Sequence, residues 1–343
     1  MKTQAAYLLP GDTVLLIAPS RSVSEADVAA FSRWVDSQGW KLEYSPNLFE
    51  VEHQFAGSDQ HRSEDLIWAI THPTAKAIFT ARGGYGCVRT VSKAEDLCDA
   101  MQGQLQGQVR GENSMGENSM GGYPIEGNTM TSVVKPDSGL VKLLKHSPAK
   151  WLVGFSDITW LHLLFAKANL QSIHGPVATQ WNLTHGHIDQ NISYLAKTLM
   201  GDIVSLDLSN SDVVRSKPFA GELVGGNLSL LYASLGTSLQ PNTAGKVLFI
   251  EDLDEYYYHI DRMLFSLKLA GLFDGIKGLL VGSMIDMNDN AVPFGRSVKS
   301  MITELLSGYD FPIIFDVPVG HDEENISIKL GAECNFENSI LTQ

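Results

Sequence analysis

The sequence predicts an α/β protein: a parallel sheet with helices on both faces, followed by a second, strand-richer β/α unit. Two observations carry this. In the first half, short unbroken apolar runs alternate with segments of helical apolar spacing, the pattern of buried parallel strands joined by crossover helices. From about residue 200 onward, strands and turns become frequent and helices fewer. The 343 residues are enough for about two domains of roughly 150 residues.

Val14-Leu15-Leu16-Ile17-Ala18 is the first buried strand, and Pro19-Ser20-Arg21-Ser22 leaves it as a loop. Ser24 is placed to cap a helix running to Trp40, with Ala29, Phe31, Trp34 and Val35 on its inner face. Trp40 to Tyr44 reads as a second strand, Ser63 to Ile70 as a helix capped by Ser63, and Ala77 to Thr80 as a third strand. That strand ends in Arg82-Gly83-Gly84-Tyr85-Gly86, and Trp151 to Phe155 is a fourth. In such a sheet, ligands sit at the carboxyl ends of the strands.

Residues 101–139 break the rhythm. Gly111-Glu112-Asn113-Ser114-Met115 repeats at once as Gly116-Glu117-Asn118-Ser119-Met120, and large apolar residues are sparse around it. Such a segment buries too little surface to offset its ordering entropy, so a flexible surface insertion is expected. Beyond residue 200 the expected strands are Ile203–Leu208, Lys246–Ile250, Gly278–Gly282, Ile313–Asp316 and Ile326–Leu330, with helices at Asn227–Gly236 and Tyr257–Ala270. The expected division is 1–180, a linker at 181–200, and a second domain at 201–343.

Composition narrows the function classes. A formal charge of −14 argues against binding a phosphate backbone, and no run of 18 apolar residues exists to span a membrane. The amino terminus lacks an apolar signal region. Three cysteines, odd in number and without metal-ligand spacing, fit a reducing cytoplasm. Neither a metal nor a cofactor is expected.

Gly154-Phe155-Ser156-Asp157-Ile158-Thr159 is the segment richest in chemical content. An apolar strand runs into Gly-x-Ser and an apolar-periodic segment follows, the order of a nucleophile elbow that presents a serine at a helix amino terminus. The competing reading is a helix cap, which Ser and Asp both favour. Ile158 also stands where the usual elbow has its second glycine. A serine nucleophile needs a base, and the base an orienting carboxylate. Val247 to Ile250 is an apolar strand ending in Glu251 and Asp252, with Asp254 and Glu255 just beyond. Val317-Pro318-Val319-Gly320-His321 ends a strand in Gly-His, with Asn325 following; His174 and His162 compete with His321 as base. Gly83 and Gly84 permit close backbone approach, so one of them and the N–H of Asp157 could form an oxyanion hole.

Together these segments resemble the LD-carboxypeptidase family of serine peptidases, which includes muramoyltetrapeptide carboxypeptidases and microcin-immunity peptidases. The resemblance runs through Gly11-Asp12, Ala18-Pro19-Ser20, Phe55-Ala56-Gly57-Ser58-Asp59 with Arg62, Arg82-Gly83-Gly84-Tyr85-Gly86 with Arg89, and the Ser156 segment. It continues through His174-Gly175-Pro176, Gly221-x-Leu223-x-Gly225-Gly226-Asn227-Leu228, Ile250-Glu251-Asp252, Asp261-Arg262 and Gly320-His321 with Asn325. The resemblance implies a Ser–Glu–His triad at Ser156, Glu251 and His321, with Gly84 (or Gly83) and Asp157 as oxyanion donors. It implies an amino-terminal domain like class I glutamine amidotransferases, a carboxy-terminal swivelling-type β/α domain, the site between them, and a homodimer. The implied reaction releases terminal D-alanine from a murein tetrapeptide, cutting after the L-configured centre of diaminopimelate. Arg82 and Arg262 are candidates for the substrate carboxylate, since guanidinium binds carboxylate in a bidentate fork. The 101–139 insertion departs from the family. Alternatives are a microcin-immunity-type peptidase acting on peptidyl or aminoacyl nucleotides with the same residues, a cysteine amidotransferase using Cys87, and a non-catalytic binding module.

Overall fold

The computed structural model describes residues 2–111, 137–183 and 187–343. Its first part alternates strand and helix: β1 (Thr13–Ile17), α1 (Glu25–Ser37), β2 (Lys41–Tyr44), α2 (Asp59–Thr71), β3 (Ala77–Thr80), α3 (Cys87–Gly111), α4 (Gly139–His146), β4 (Trp151–Gly154), α5 (Thr159–Lys167), β5 (Ser172–His174) and α6 (Ile188–Met200). The second part has β6 (Ser205–Asp207), β7 (Val213–Val214), β8 (Phe219–Asn227), α7 (Leu228–Ala233), β9 (Val247–Leu253), α8 (Tyr257–Leu269), β10 (Gly278–Ile285), α9 (Val298–Leu305), β11 (Ile313–Ile314), β12 (Ile328–Leu330), β13 (Glu333–Glu337) and β14 (Ile340–Thr342). Among the described residues, no helix is long and apolar enough to cross a membrane.

The first sheet runs β12-β5-β4-β3-β1-β2, and β1 to β5 are parallel to one another, as the strand–helix alternation predicts. Every residue of β3 and β4 is buried, because helices cover both faces. The second sheet runs β6-β14-β13-β8-β9-β10-β11-β7, with a parallel centre from β8 to β11 and antiparallel flanks. The short β12, expected in the second unit, instead pairs antiparallel with β5 in the first sheet. Two residues later β13 pairs with β8 of the second sheet. One apolar core also joins the parts, since Leu161 and Leu164 of α5 share it with Leu228 and Leu231 of α7.

Several local expectations change. The hydroxyl capping α2 belongs to Ser58, which accepts from His61 N; Ser63 lies inside the helix and donates to Asp59 O and Thr90 O. Residues 101–111 continue α3, and Gly139 opens α4, its N–H donating to Asp99 Oδ1 at 2.8 Å. Both ends of the expected insertion are thus helical, and residues 112–136 lie outside the described residues. Most of the stretch expected as a linker is α6, with Leu195 and Leu199 fully buried beneath the first sheet. Strand β9 extends through Leu253, so Glu251 and Asp252 lie inside a strand, not beyond its end.

Candidate active site

The Ser156 segment is a strained turn. Phe155 is extended (φ −153°, ψ −172°), Ser156 is left-handed (φ +64°), and one 3-10 turn over Ser156–Ile158 leads into α5. Left-handed backbone is uncommon for a residue with a Cβ and gathers at functional turns. Gly154 makes the turn possible, because a Cβ there would lie 2.2 Å from Thr80 Oγ1 and 3.0 Å from the Ile158 side chain. Ile158 packs over that bare backbone, which is how a bulky residue fits where the usual elbow has glycine. No side chain caps the start of α5, so Ser156 does not act as a helix cap.

Asp157 holds the turn from below. Its buried Oδ2 accepts from Ser20 Oγ at 2.6 Å and from Cys87 N at 2.8 Å. Burial raises its carboxyl above the ordinary range, opposed by these two donors. Asp157 thus ties the loop after β1 and the start of α3 to the turn.

The Gly83-Gly84 loop lies against the serine. A Cβ on Gly83 would sit 3.1 Å from Ser156 Cβ and 3.3 Å from its Oγ. Gly84 is left-handed (φ +105°), and a Cβ there would fall 2.6 Å from Arg21 Cδ. Arg21 therefore crosses this loop, which our sequence reading missed; its position just after β1 was the available signal. Arg82 is exposed, and its charge acts on the Asp27 carboxyl. Arg262 lies on α8 with its guanidinium 5.3 Å over the Tyr258 ring.

Glu251 and His321 are joined. Glu251 is fully buried in β9, and its Oε2 lies 2.6 Å from His321 Nδ1. Gly320 permits this, since a Cβ at its φ of +131° would fall 2.2 Å from Ser283 Oγ and 3.0 Å from Glu251 Oε2. The loop is pinned by Gly320 N donating to Asn325 Oδ1 at 3.1 Å and His321 N donating to Ser283 Oγ at 2.7 Å. The Phe155 ring, one residue before Ser156, lies 4.7 Å from the His321 ring, centre to centre. The tertiary structure thus brings the segments of Ser156, Glu251 and His321 together.

The competitors are bonded to other groups or sealed by burial. Asp252 Oδ1 accepts from Asn227 Nδ2 at 2.8 Å and Oδ2 from Ser229 N at 2.9 Å. Burial, and then the Glu251 charge, push its carboxyl up to about 6. Glu255 pairs with His259 at 2.5 Å, a second acid–imidazole pair near the start of α8. His162 is buried between Ser172 Oγ and Gly154 O, and burial holds its imidazole down at about 4. His174 is fully buried, and burial likewise holds it well below its ordinary range. Cys87 is fully buried, and burial raises its thiol well above normal, the opposite of what a thiolate nucleophile needs.

Residues 14–103 match the LD-carboxypeptidase N-terminal domain, and residues 220–336 match the LD-carboxypeptidase C-terminal domain. A protein of Rickettsia conorii is 31% identical over 333 residues, covering 94% of this chain and 86% of that one. The murein tetrapeptide carboxypeptidase of Pseudomonas aeruginosa is 25% identical over 336 residues, covering 96% of this chain and 94% of its own. The solved structure of MccF in complex with glutamyl sulfamoyl guanosine superposes with a TM-score of 0.76 at 19% identity, covering 98% of this chain and 97% of that one. With both domain matches and a relative of this identity along nearly its whole length, the chain belongs to the LD-carboxypeptidase family of peptidases.

Proposed function

We propose that this chain is a serine LD-carboxypeptidase that releases terminal D-alanine from murein tetrapeptides through Ser156, Glu251 and His321. The observation that carries the proposal is the Glu251–His321 pair held against the left-handed Ser156 turn. Ionised, Glu251 can only accept, so His321 Nδ1 carries the proton and Nε2 is left to act as base. His321 Nε2 removes the proton of Ser156 Oγ as Oγ attacks the scissile carbonyl. The oxyanion is stabilised by the N–H groups of Asp157 and Gly84 (or Gly83), and losing one such donor costs about 10²–10³ in kcat. The imidazolium protonates the leaving D-alanine amine. Water, activated by the same histidine, then hydrolyses the acyl-enzyme. Arg21, lying over Gly84, joins Arg82 and Arg262 as a candidate for the terminal carboxylate.

The same reading takes the enzyme as a cytoplasmic homodimer in cell-wall recycling. It takes the first sheet as a domain like those of class I glutamine amidotransferases and the second as a swivelling-type domain. Purified wild-type and Ser156→Ala protein are incubated with murein tetrapeptide, and the products are identified by mass spectrometry. The wild type releases D-alanine; Ser156→Ala retaining the wild-type rate overturns the assignment.

A second reading is favoured by the likeness to MccF bound to glutamyl sulfamoyl guanosine: hydrolysis of peptidyl or aminoacyl nucleotides by the same residues. Offering the enzyme both substrate classes separates the two, because faster turnover of the nucleotide conjugate selects the second.

A further inference from the structure

We propose that the hydrogen bond from Asn227 N to Thr159 Oγ1 is a latch that sets the nucleophile's helix against the strand carrying the acid, making Thr159 a positioning residue. This rests on the triad reading above. Thr159 opens α5 three residues after Ser156 and is fully buried. Asn227 closes β8, where its register partner on β9 is Glu251. The N–H of Asn227 donates to Thr159 Oγ1 at 3.1 Å inside the seam between the two sheets. One buried hydrogen bond therefore reaches from the first turn after the nucleophile to the residue beside the acid.

The surroundings make this contact specific. Gly226 is left-handed (φ +145°), and a Cβ there would fall 2.7 Å from Thr159 Oγ1 and 2.8 Å from its Cγ2. The two backbones can approach this closely only over a bare glycine. On the far side Asn227 is locked to β9, with Nδ2 donating to Asp252 Oδ1 at 2.8 Å while its Oδ1 accepts from Leu230 N at 3.3 Å. Asn227 thus cannot shift relative to Glu251 without breaking bonds to β9 and α7. A slip between the sheets at this point therefore falls on the Thr159 contact.

A misplacement of about 1 Å in a reacting constellation lowers rate by roughly 100-fold. Thr159→Val keeps the shape and the methyl against Gly226 but removes the acceptor. Thr159→Ser keeps the acceptor and removes the methyl. Both are made in the full chain and compared with wild type and Ser156→Ala on murein tetrapeptide, with melting temperature measured for each. We expect Thr159→Val to lose roughly 10- to 100-fold in kcat with KM within about twofold. Thr159→Ser is expected to stay within about threefold of wild type. An active wild type and a dead Ser156→Ala alongside a fully active Thr159→Val overturn the latch while leaving the triad intact. Equal losses in Thr159→Val and Thr159→Ser also overturn it, because they assign the site to packing alone. An inactive wild type, or an active Ser156→Ala, instead overturns the triad reading on which the latch rests. Should Thr159→Val not fold, Thr159→Ala against Thr159→Ser makes the same comparison.

Discussion

His321 Nδ1 lies 2.6 Å from Glu251 Oε2, although 70 residues of chain separate them. Glu251 is inside a parallel strand with no exposure, and the imidazole reaches it from a loop turned at Gly320. The first prediction follows from which atom carries the proton. An amide at position 251 can present its NH2 to Nδ1 and hold the ring in the wrong tautomer. Glu251→Gln is expected to lower kcat by about 10⁴ with little change in fold. Steady-state D-alanine release measures it, and a loss below about tenfold removes Glu251 from the proposed role.

Gly83 is the next position to probe. An added methyl would press on Ser156 Cβ at 3.1 Å, tighter than ordinary contact, so the serine must give way by a few tenths of an ångström. Gly83→Ala is expected to lower kcat by roughly 10- to 100-fold while the melting temperature moves little, because the adjustment is confined to the turn. Wild-type kcat in this variant would show that the serine tolerates displacement.

Acid stability carries the signature of His162. Burial holds its imidazole down at about 4 against an ordinary 6.5. Between those pH values the unfolded chain takes up a proton that the native chain refuses. Stability therefore falls as pH drops through this window, by on the order of 3 kcal/mol for full separation. His174 shifts in the same direction, also through burial. Asp252, pushed up to about 6, acts oppositely: its protonation favours the native state, and that contribution fades as pH rises from 3.8 to about 6. His162→Gln should flatten the melting-temperature profile between pH 6.5 and 4 relative to wild type. An unchanged slope would mean that His162 titrates alike in both states.

Cys87 gives a chemical control. Its thiol is fully buried and raised by burial, while its backbone N–H serves Asp157. Cys87→Ala keeps that N–H and should retain activity within about threefold, and iodoacetamide should leave the native enzyme active. Inactivation that tracks alkylation of Cys87 would revive the thiol chemistry set aside above.

Much of this arrangement was readable along the chain. Buried parallel strands announce themselves as short apolar runs, so β1, β3 and β4 were found from Val14–Ala18, Ala77–Thr80 and Trp151–Phe155. The Gly154–Ser156 turn was legible because a strand, a glycine and a helical period adjoin there. Short strands with exposed faces were not legible. β7 and β14 are only two and three residues long, β13 carries charged and polar residues between its buried ones, and the strand content of Phe219–Asn227 is masked by its three glycines and polar residues. Ser63 was mistaken for a cap because Ser58 and Ser63 offer the same chemistry, and helix phase decides between them.

By itself, then, the sequence determined the alternation of strand and helix, the strained serine turn, and a short roster of acids and histidines. It could not choose among Glu251, Asp252 and Asp254, or between His321 and His174, because side chains of like chemistry differ only in what surrounds them; the resemblance to a family made that choice. The tertiary structure decided the partners. It turned Asp252 toward Asn227, gave Glu255 to His259, sealed His174 in the core, and brought Glu251 to His321 beside Phe155. It also placed Thr159 against Asn227. The Phe155–His321 and Thr159–Asn227 contacts join distant segments, and they exist because two sheets share one core and a glycine lets their backbones meet.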